Sequence, residues 1–315
     1  MGRKITVIGA GSVGSTITYT MAVEAIASEI VLIDINEEKA KGEAMDIRQG
    51  MPFSSSATIY AGTYSDAKDS DIVIITSGIP RKAGQSRIDL AQTNVNVIKQ
   101  IAPQIVKYAP NAIYILVSNP VDVLTYVFMK VSGIPESRII GSGTILDTSR
   151  LRSRIGEYIG ISEKNIHAYV LGEHGDSSFV PWSCAQVGCV NLLDYRNDFQ
   201  FTNSKFPELD TDEIENYIRT SGGQIIARKG ATFYAVSISV CHVVKCLLGS
   251  VKTAMTVSNM MHGEYGIEDV CLSIPFIIGS DGVCGHLLPN LTGSEIGKLQ
   301  HSAEVLKNVI KQVSI

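Results

Sequence analysis

A histidine set among glycines on a short polar turn, Gly172-Glu173-His174-Gly175-Asp176-Ser177, is the stretch of this chain best suited to moving a proton. Flanking glycines allow close backbone approach and unusual dihedral angles, and an imidazole changes charge near neutral pH. Upstream, Asp147, Arg150 and Arg152 share one helical turn. Residues three apart lie on one face, so Asp147 and Arg150 point together while Arg152 points away. If that face fronts a cleft, Asp147 orients the His174 imidazole and stabilises its protonated form. Arg150 then clamps a substrate carboxylate with its two-pronged guanidinium. Taken alone, the pair is an ordinary ion pair on a helix surface.

Three further segments add weight. Ser77 to Arg87 has glycines for hinges and three cations, Arg81, Lys82 and Arg87. That is the composition of a lid closing over an anion, or more plainly of a solvated charged loop. Asn119-Pro120 supplies a buried-edge amide able to bond a substrate hydroxyl, or simply a turn. Gly9-Ala10-Gly11-Ser12-Val13-Gly14 follows a β-patterned run and opens a helical one. This loop seats a pyrophosphate on free N–H groups at a helix N-terminus. Asp34 stands twenty residues beyond Gly14, where a carboxylate accepts hydrogen bonds from a ribose diol and repels a 2′-phosphate. NAD is therefore expected over NADP, the plainer role for Asp34 being to cap the helix near Asn36.

The elements that must position these residues alternate. Candidate strands at Lys4–Ile8, Ile30–Ile33, Thr58–Tyr60, Asp71–Thr76, Ala112–Val117 and Arg138–Ile140 are separated by helical patterns at Val13–Ala27, Asn36–Gly50, Ile88–Tyr108 and Val121–Val131. This is the signature of an α/β fold, a Rossmann-type doubly wound parallel sheet. Regularity breaks near Gly141. Beyond it come a helix at Leu146–Tyr158, a strand at Ile166–Leu171, a polar surface loop at Arg196–Thr211, helices from Thr211 and Phe233, a β-like run, and a final helix from Thr292. The expected division is a dinucleotide-binding domain over 1–141 and an α+β substrate domain over 142–315, with a ligand cleft between.

Composition narrows the classes. Hydrophobic residues make up 45% and charged residues 18%, which excludes a disordered chain. A net charge of −4 offers no field for nucleic acid or an anionic membrane surface. No apolar run approaches the ~20 residues of a membrane span, and the pattern reads as soluble and cytoplasmic. The Met-Gly-Arg-Lys start fits a myristoylation pattern formally, but Ile5–Ile8 is better explained as a buried strand. The six cysteines contain no Cys-x-x-Cys pair, and Cys241-His242 lacks zinc spacing, so they read as reduced thiols and no metal is expected.

With these motifs in hand, the chain is similar to the lactate/malate dehydrogenase family over essentially its whole length, through Gly263-Glu264-Tyr265-Gly266 and beyond, and most similar to its bacterial L-lactate type. The resemblance implies that His174 is the acid/base, Asp147 its partner and Arg87 the group that polarises the carbonyl. It further implies that Arg150, Asn119, Arg81 and Thr232 bind substrate, and that Gly9, Gly11, Ser12, Val13, Gly14, Asp34, Gly78 and Asn119 contact NAD. Arg81 falls at the position that discriminates substrates, where malate-type members usually carry arginine and many lactate-type members glutamine. A guanidinium closed over a methyl group would be buried without a partner, so Arg81 favours oxaloacetate. Glu173, Trp182 and Thr232 match the lactate type instead. The resemblance thus implies an NAD-dependent L-lactate dehydrogenase of pyruvate fermentation. Malate dehydrogenase is the alternative, and a non-catalytic NAD-binding protein a remote one. Arg152 and His167 fall where allosteric bacterial members bind fructose 1,6-bisphosphate, and a homotetramer is implied.

Overall fold

Residues 3–79, 86–195 and 209–315 are described by the computed structural model of the chain. Arg81 and most of the polar stretch at 196–211 lie outside them. The first half forms strands β1 (Lys4–Ile8), β2 (Glu29–Ile33), β3 (Thr58–Ala61), β4 (Ile72–Ile75), β5 (Ile113–Leu116) and β6 (Ile139–Gly141). Helices α1 (Ser12–Val23), α2 (Glu37–Gly50), α3 (Arg87–Tyr108) and α4 (Val121–Ser132) alternate with them. The strands pair in parallel in the order β3-β2-β1-β4-β5-β6. All four residues of β4 and all four of β5 are buried, as their unbroken apolar runs require when both sheet faces are covered. Burying one such isoleucine or valine is worth roughly 1.5–3 kcal/mol. The order reverses at β1/β4, and the crevice outside the carboxyl ends at that reversal is where open sheets bind ligands.

The second half comprises α5 (Ile145–Ile159), a small antiparallel sheet of β7 (Ile166–His167), β8 (Gln186–Val187) and β9 (Val190–Asn191), helices α6 (Thr211–Lys229) and α7 (Tyr234–Leu247), strands β10 (Thr253–His262), β11 (Glu268–Gly279) and β12 (Gly282–His286), and α8 (Gly293–Gln312). The break in pattern near Gly141 is a change of pairing within one sheet. Ser258 of β10 pairs antiparallel with Gly141, and β11 and β12 extend the sheet to nine strands. A Cβ on Gly141 would lie 2.4 Å from Thr125 Oγ1 and 2.9 Å from the Ser258 Cβ, so glycine lets the strands meet. A second apolar core, including Leu151, Ile155, Ile166, Val180, Trp182 and Ile214, backs α5 and α6.

The approach to His174 differs from the six-residue strand that its pattern suggests. Only Ile166 and His167 pair as β7. The Val170 N–H donates to Thr148 Oγ1 and its carbonyl accepts from Thr144 Oγ1. Side chains of α5 and its N-cap thus occupy the groups that a neighbouring strand would have used.

Candidate active site

The dinucleotide cleft is built chiefly from backbone. Gly9 adopts φ +112°, and a Cβ there would lie 2.6 Å from Thr76 Oγ1 and 2.9 Å from the Ser77 nitrogen. A Cβ on Gly14 would lie 1.8 Å from the Gly9 carbonyl oxygen, so both glycines are demanded by the protein's own packing. Gly11 differs, because a Cβ there meets nothing within 4 Å and would project into open space. Gly11 also caps α1 without any side-chain hydrogen bond, leaving the first N–H groups of the helix to a ligand. Gly9 and Gly11 line a cleft of about 670 Å³ with Asp34, Thr63, Ser77 and Gly78. Asp34 accepts from the Ala10 N–H at 2.6 Å and from the Asn36 N–H at 2.8 Å. It therefore braces the glycine loop and the start of α2 together. Two of its roughly four lone-pair sites are used, which leaves capacity for a ribose diol. The cradle fits a dinucleotide.

The proton-handling group stands in the second half. His174 Nδ1 is 2.5 Å from Asp147 Oδ2, and Arg150 Nη1 donates to Asp147 Oδ1 at 3.0 Å. Asp147 is buried and Arg150 nearly so. Burial pushes the Asp147 carboxyl up, but His174 and Arg150 more than offset this and hold it below the usual carboxylate range. Asp147 raises the imidazole, against the opposing effect of burial, to about 9. His174 Nε2 makes no hydrogen bond among the described residues. The turn is pinned by Leu171 pairing with Phe179 and Gly172 with Ser273. Within it, the Glu173 carboxylate accepts from the Ser177 hydroxyl.

The remaining candidates divide. Arg87, held at the first turn of α3 by the Ser86–Asp89 capping box, reaches the His174 turn and pairs with Asp176 at 2.5 Å. Both side chains are 70% exposed. Asn119 is exposed, where a buried-edge amide was expected; among the described residues its Oδ1 accepts only a long 3.3 Å bond from the Val121 N–H, and its carbonyl accepts from Asn94. Gly78 packs against Ser118, which ties the loops after β4 and β5 together through Ser118 Oγ and the Ser77 carbonyl. Thr232 is half-buried in the turn between α6 and α7, with no hydrogen bond to the triad among the described residues. Arg152 does point away from the triad. It donates to the Ala168 carbonyl at 3.1 Å and stacks on Tyr169 at 4.8 Å, beside the exposed His167.

Two residues escape the sequence reading. Buried Asn94 accepts from the Ile79 N–H and donates to the Ile79 and Asn119 carbonyls, clamping two loops of the cleft. Asp122 accepts the His174 backbone N–H at 2.8 Å. In sequence, Asn94 is one polar residue in a long helix and Asp122 an ordinary acid in a first helical turn. A polar residue at an otherwise buried helical position was the available signal for both.

The family profile for the lactate/malate dehydrogenase NAD binding domain matches residues 3–141, and that for the lactate/malate dehydrogenase alpha/beta C-terminal domain matches residues 144–314. An L-lactate dehydrogenase of Clostridium botulinum is 44% identical over 311 residues, 99% of this chain and 97% of that protein. An L-lactate dehydrogenase of Acetivibrio thermocellus is 42% identical, over 99% and 98% of the two chains. The solved minor L-lactate dehydrogenase from Enterococcus mundtii, in a ligand-bound form, superposes with a TM-score of 0.94 at 35% identity, covering 100% of this chain and 99% of that one.

Proposed function

Because the chain belongs to the lactate/malate dehydrogenase family, we propose that it interconverts pyruvate and L-lactate with NAD as its cofactor. The observation that carries the chemistry is Asp147 holding His174 with one oxygen and Arg150 with the other. NADH, when bound, supplies the hydride that reduces the carbonyl carbon. Protonated His174 gives its Nε2 proton to the carbonyl oxygen while Asp147 keeps the ring oriented through Nδ1. Arg150 receives the substrate carboxylate, and Arg87 leaves Asp176 to polarise the carbonyl. In the reverse direction neutral His174 takes the hydroxyl proton. Asp34 and Gly11 favour NAD on the cleft wall, with Ser12, Val13 and Gly14 presenting the α1 terminus to the pyrophosphate. Asn119 and Thr232 complete the substrate pocket from opposite halves of the chain, 1–141 and 142–315.

One residue supports a second substrate. Arg81 would pair with the distal carboxylate of oxaloacetate, whereas the named relatives support pyruvate. Steady-state NADH oxidation with each 2-oxo acid decides between them, and a kcat/KM favouring oxaloacetate by tenfold or more would overturn the pyruvate assignment. Arg152, which contacts Ala168 and Tyr169, and the exposed His167 form the proposed effector site for fructose 1,6-bisphosphate in a homotetramer. All six cysteines are free thiols, in keeping with a cytoplasmic, fermentative role. No helix among the described residues is long and apolar enough to cross a membrane.

A further inference from the structure

His174 is gripped twice. Asp147 holds the ring, and Asp122, from the first turn of α4, holds the backbone through the His174 N–H at 2.8 Å. Asp122 is 2% exposed, and its carboxyl spans from the parallel-sheet half of the molecule to the catalytic turn. Among the described residues its second oxygen, Oδ1, closes no hydrogen bond, nor does the buried Ser258 hydroxyl on β10, although the hydroxyl lies near enough to lower the carboxyl. A buried carboxylate left partly unsatisfied is costly, and the fold keeps it directly behind the proton donor. We propose that Asp122 is a positioning residue for the proton transfer, fixing the His174 backbone and setting a second negative charge within reach of the imidazole.

The charged and titratable groups around this pair come from several elements. Asp147 and Arg150 face His174 from α5, Glu173 flanks both from the turn, and the buried Cys271 thiol on β11 senses Asp122. Burial lifts the Asp122 carboxyl to about 6, with Ser258 and His174 opposing. Its charge adds to that of Asp147 in raising His174, while Arg150 lowers it. Asp122 thus sits three residues beyond Asn119, and one short segment serves both the cleft edge and the proton donor.

This inference rests on the proton role given to His174 above, and its test reads the imidazole directly. In Asp122→Asn the amide oxygen still accepts the His174 N–H and the amide N–H can donate to Ser258, so the fold is preserved while the charge is lost. Ring-labelled full-length protein, with His174 assigned through His174→Gln, should show a lower imidazole midpoint in Asp122→Asn than in wild type, with the alkaline limb of pyruvate reduction moving with it. Asp122→Ala, which also removes the acceptor, should lower kcat/KM roughly tenfold or more, with NADH affinity unchanged. An unchanged midpoint in Asp122→Asn overturns the proposal, even if Asp122→Ala fails to fold. A shifted midpoint in an enzyme inactive on every 2-oxo acid would uphold it and overturn the functional reading instead.

Discussion

The dinucleotide cleft and the His174 turn achieve their chemistry by opposite means. At the cleft the working groups are main-chain N–H donors at the start of α1, exposed by glycines whose Cβ positions are already taken by Thr76, Ser77 and Gly9. At the turn the working groups are side chains from three separate segments, Asp122, Asp147 with Arg150, and His174, converging through hydrogen bonds of 2.5 to 3.0 Å. A backbone site is specified by one local stretch, and is altered by adding atoms. A side-chain site is specified by the whole fold, and is altered by removing them.

The largest effect should therefore come from the turn. His174→Ala removes the proton donor, and general acid–base catalysis contributes ~10²–10⁴ in rate. Pyruvate reduction should fall by about a thousandfold, with NADH binding, followed by fluorescence titration, within about twofold of wild type. The pH behaviour follows from the same residue. His174 is raised from 6.5 to about 9, so the wild-type kcat/KM for reduction stays level through neutral pH and falls as pH rises through 9, while lactate oxidation gains. The stability contributed by raising His174 has the same sign: fully present below 6.5 and lost as pH passes 9, while on the acid side the pair is lost only as the depressed Asp147 carboxyl protonates. A loss of NADH binding equal to the loss of rate would show that the two regions are not separable.

The difference between the regions also explains what could be read from the sequence. The cleft was legible because strand, glycine loop, helix and Asp34 follow one another in 31 residues, from Lys4 to Asp34. The continuous sheet was not, because the single Ser258–Gly141 pairing joins residues far apart in the chain and leaves no periodic trace. At the turn, His174, Asp147 and Arg150 were legible as residue types and by helical spacing. Asp122 was not, since an acid in a first helical turn has a local role that hides a distant one. The β7 strand was overdrawn for a related reason: Val170 looks extended and apolar, yet Thr144 and Thr148 hold its polar groups.

A smaller effect belongs to the cleft. Asp34→Ser removes the carboxylate that braces Ala10 and repels a 2′-phosphate, but leaves the glycine cradle in place. Hydrogen bonds to a charged group are worth about 1.5–3 kcal/mol, so NADH affinity should weaken roughly 10–100-fold. The NADH/NADPH ratio of kcat/KM should move toward NADPH. A ratio changed by less than threefold would mean that Asp34 serves only to hold the α2 start, through the Asn36 N–H, and that cofactor selection lies elsewhere.

The smallest effect lies where the regions meet. Arg87 projects from α3, in the parallel-sheet half, onto Asp176 of the catalytic turn, and the pair is largely exposed. Exposed ion pairs are worth about 0–1 kcal/mol and weaken with salt. Substrate must draw Arg87 off this partner before the guanidinium can polarise a carbonyl. Asp176→Asn releases it in advance, so the KM for pyruvate should fall by less than about fivefold at low salt, with kcat little changed. At high salt the variant and wild type should converge, because screening has already loosened the pair. A rise in KM that salt does not remove would place Asp176 among the groups that hold substrate, and would draw the boundary between the two regions on the other side of Arg87.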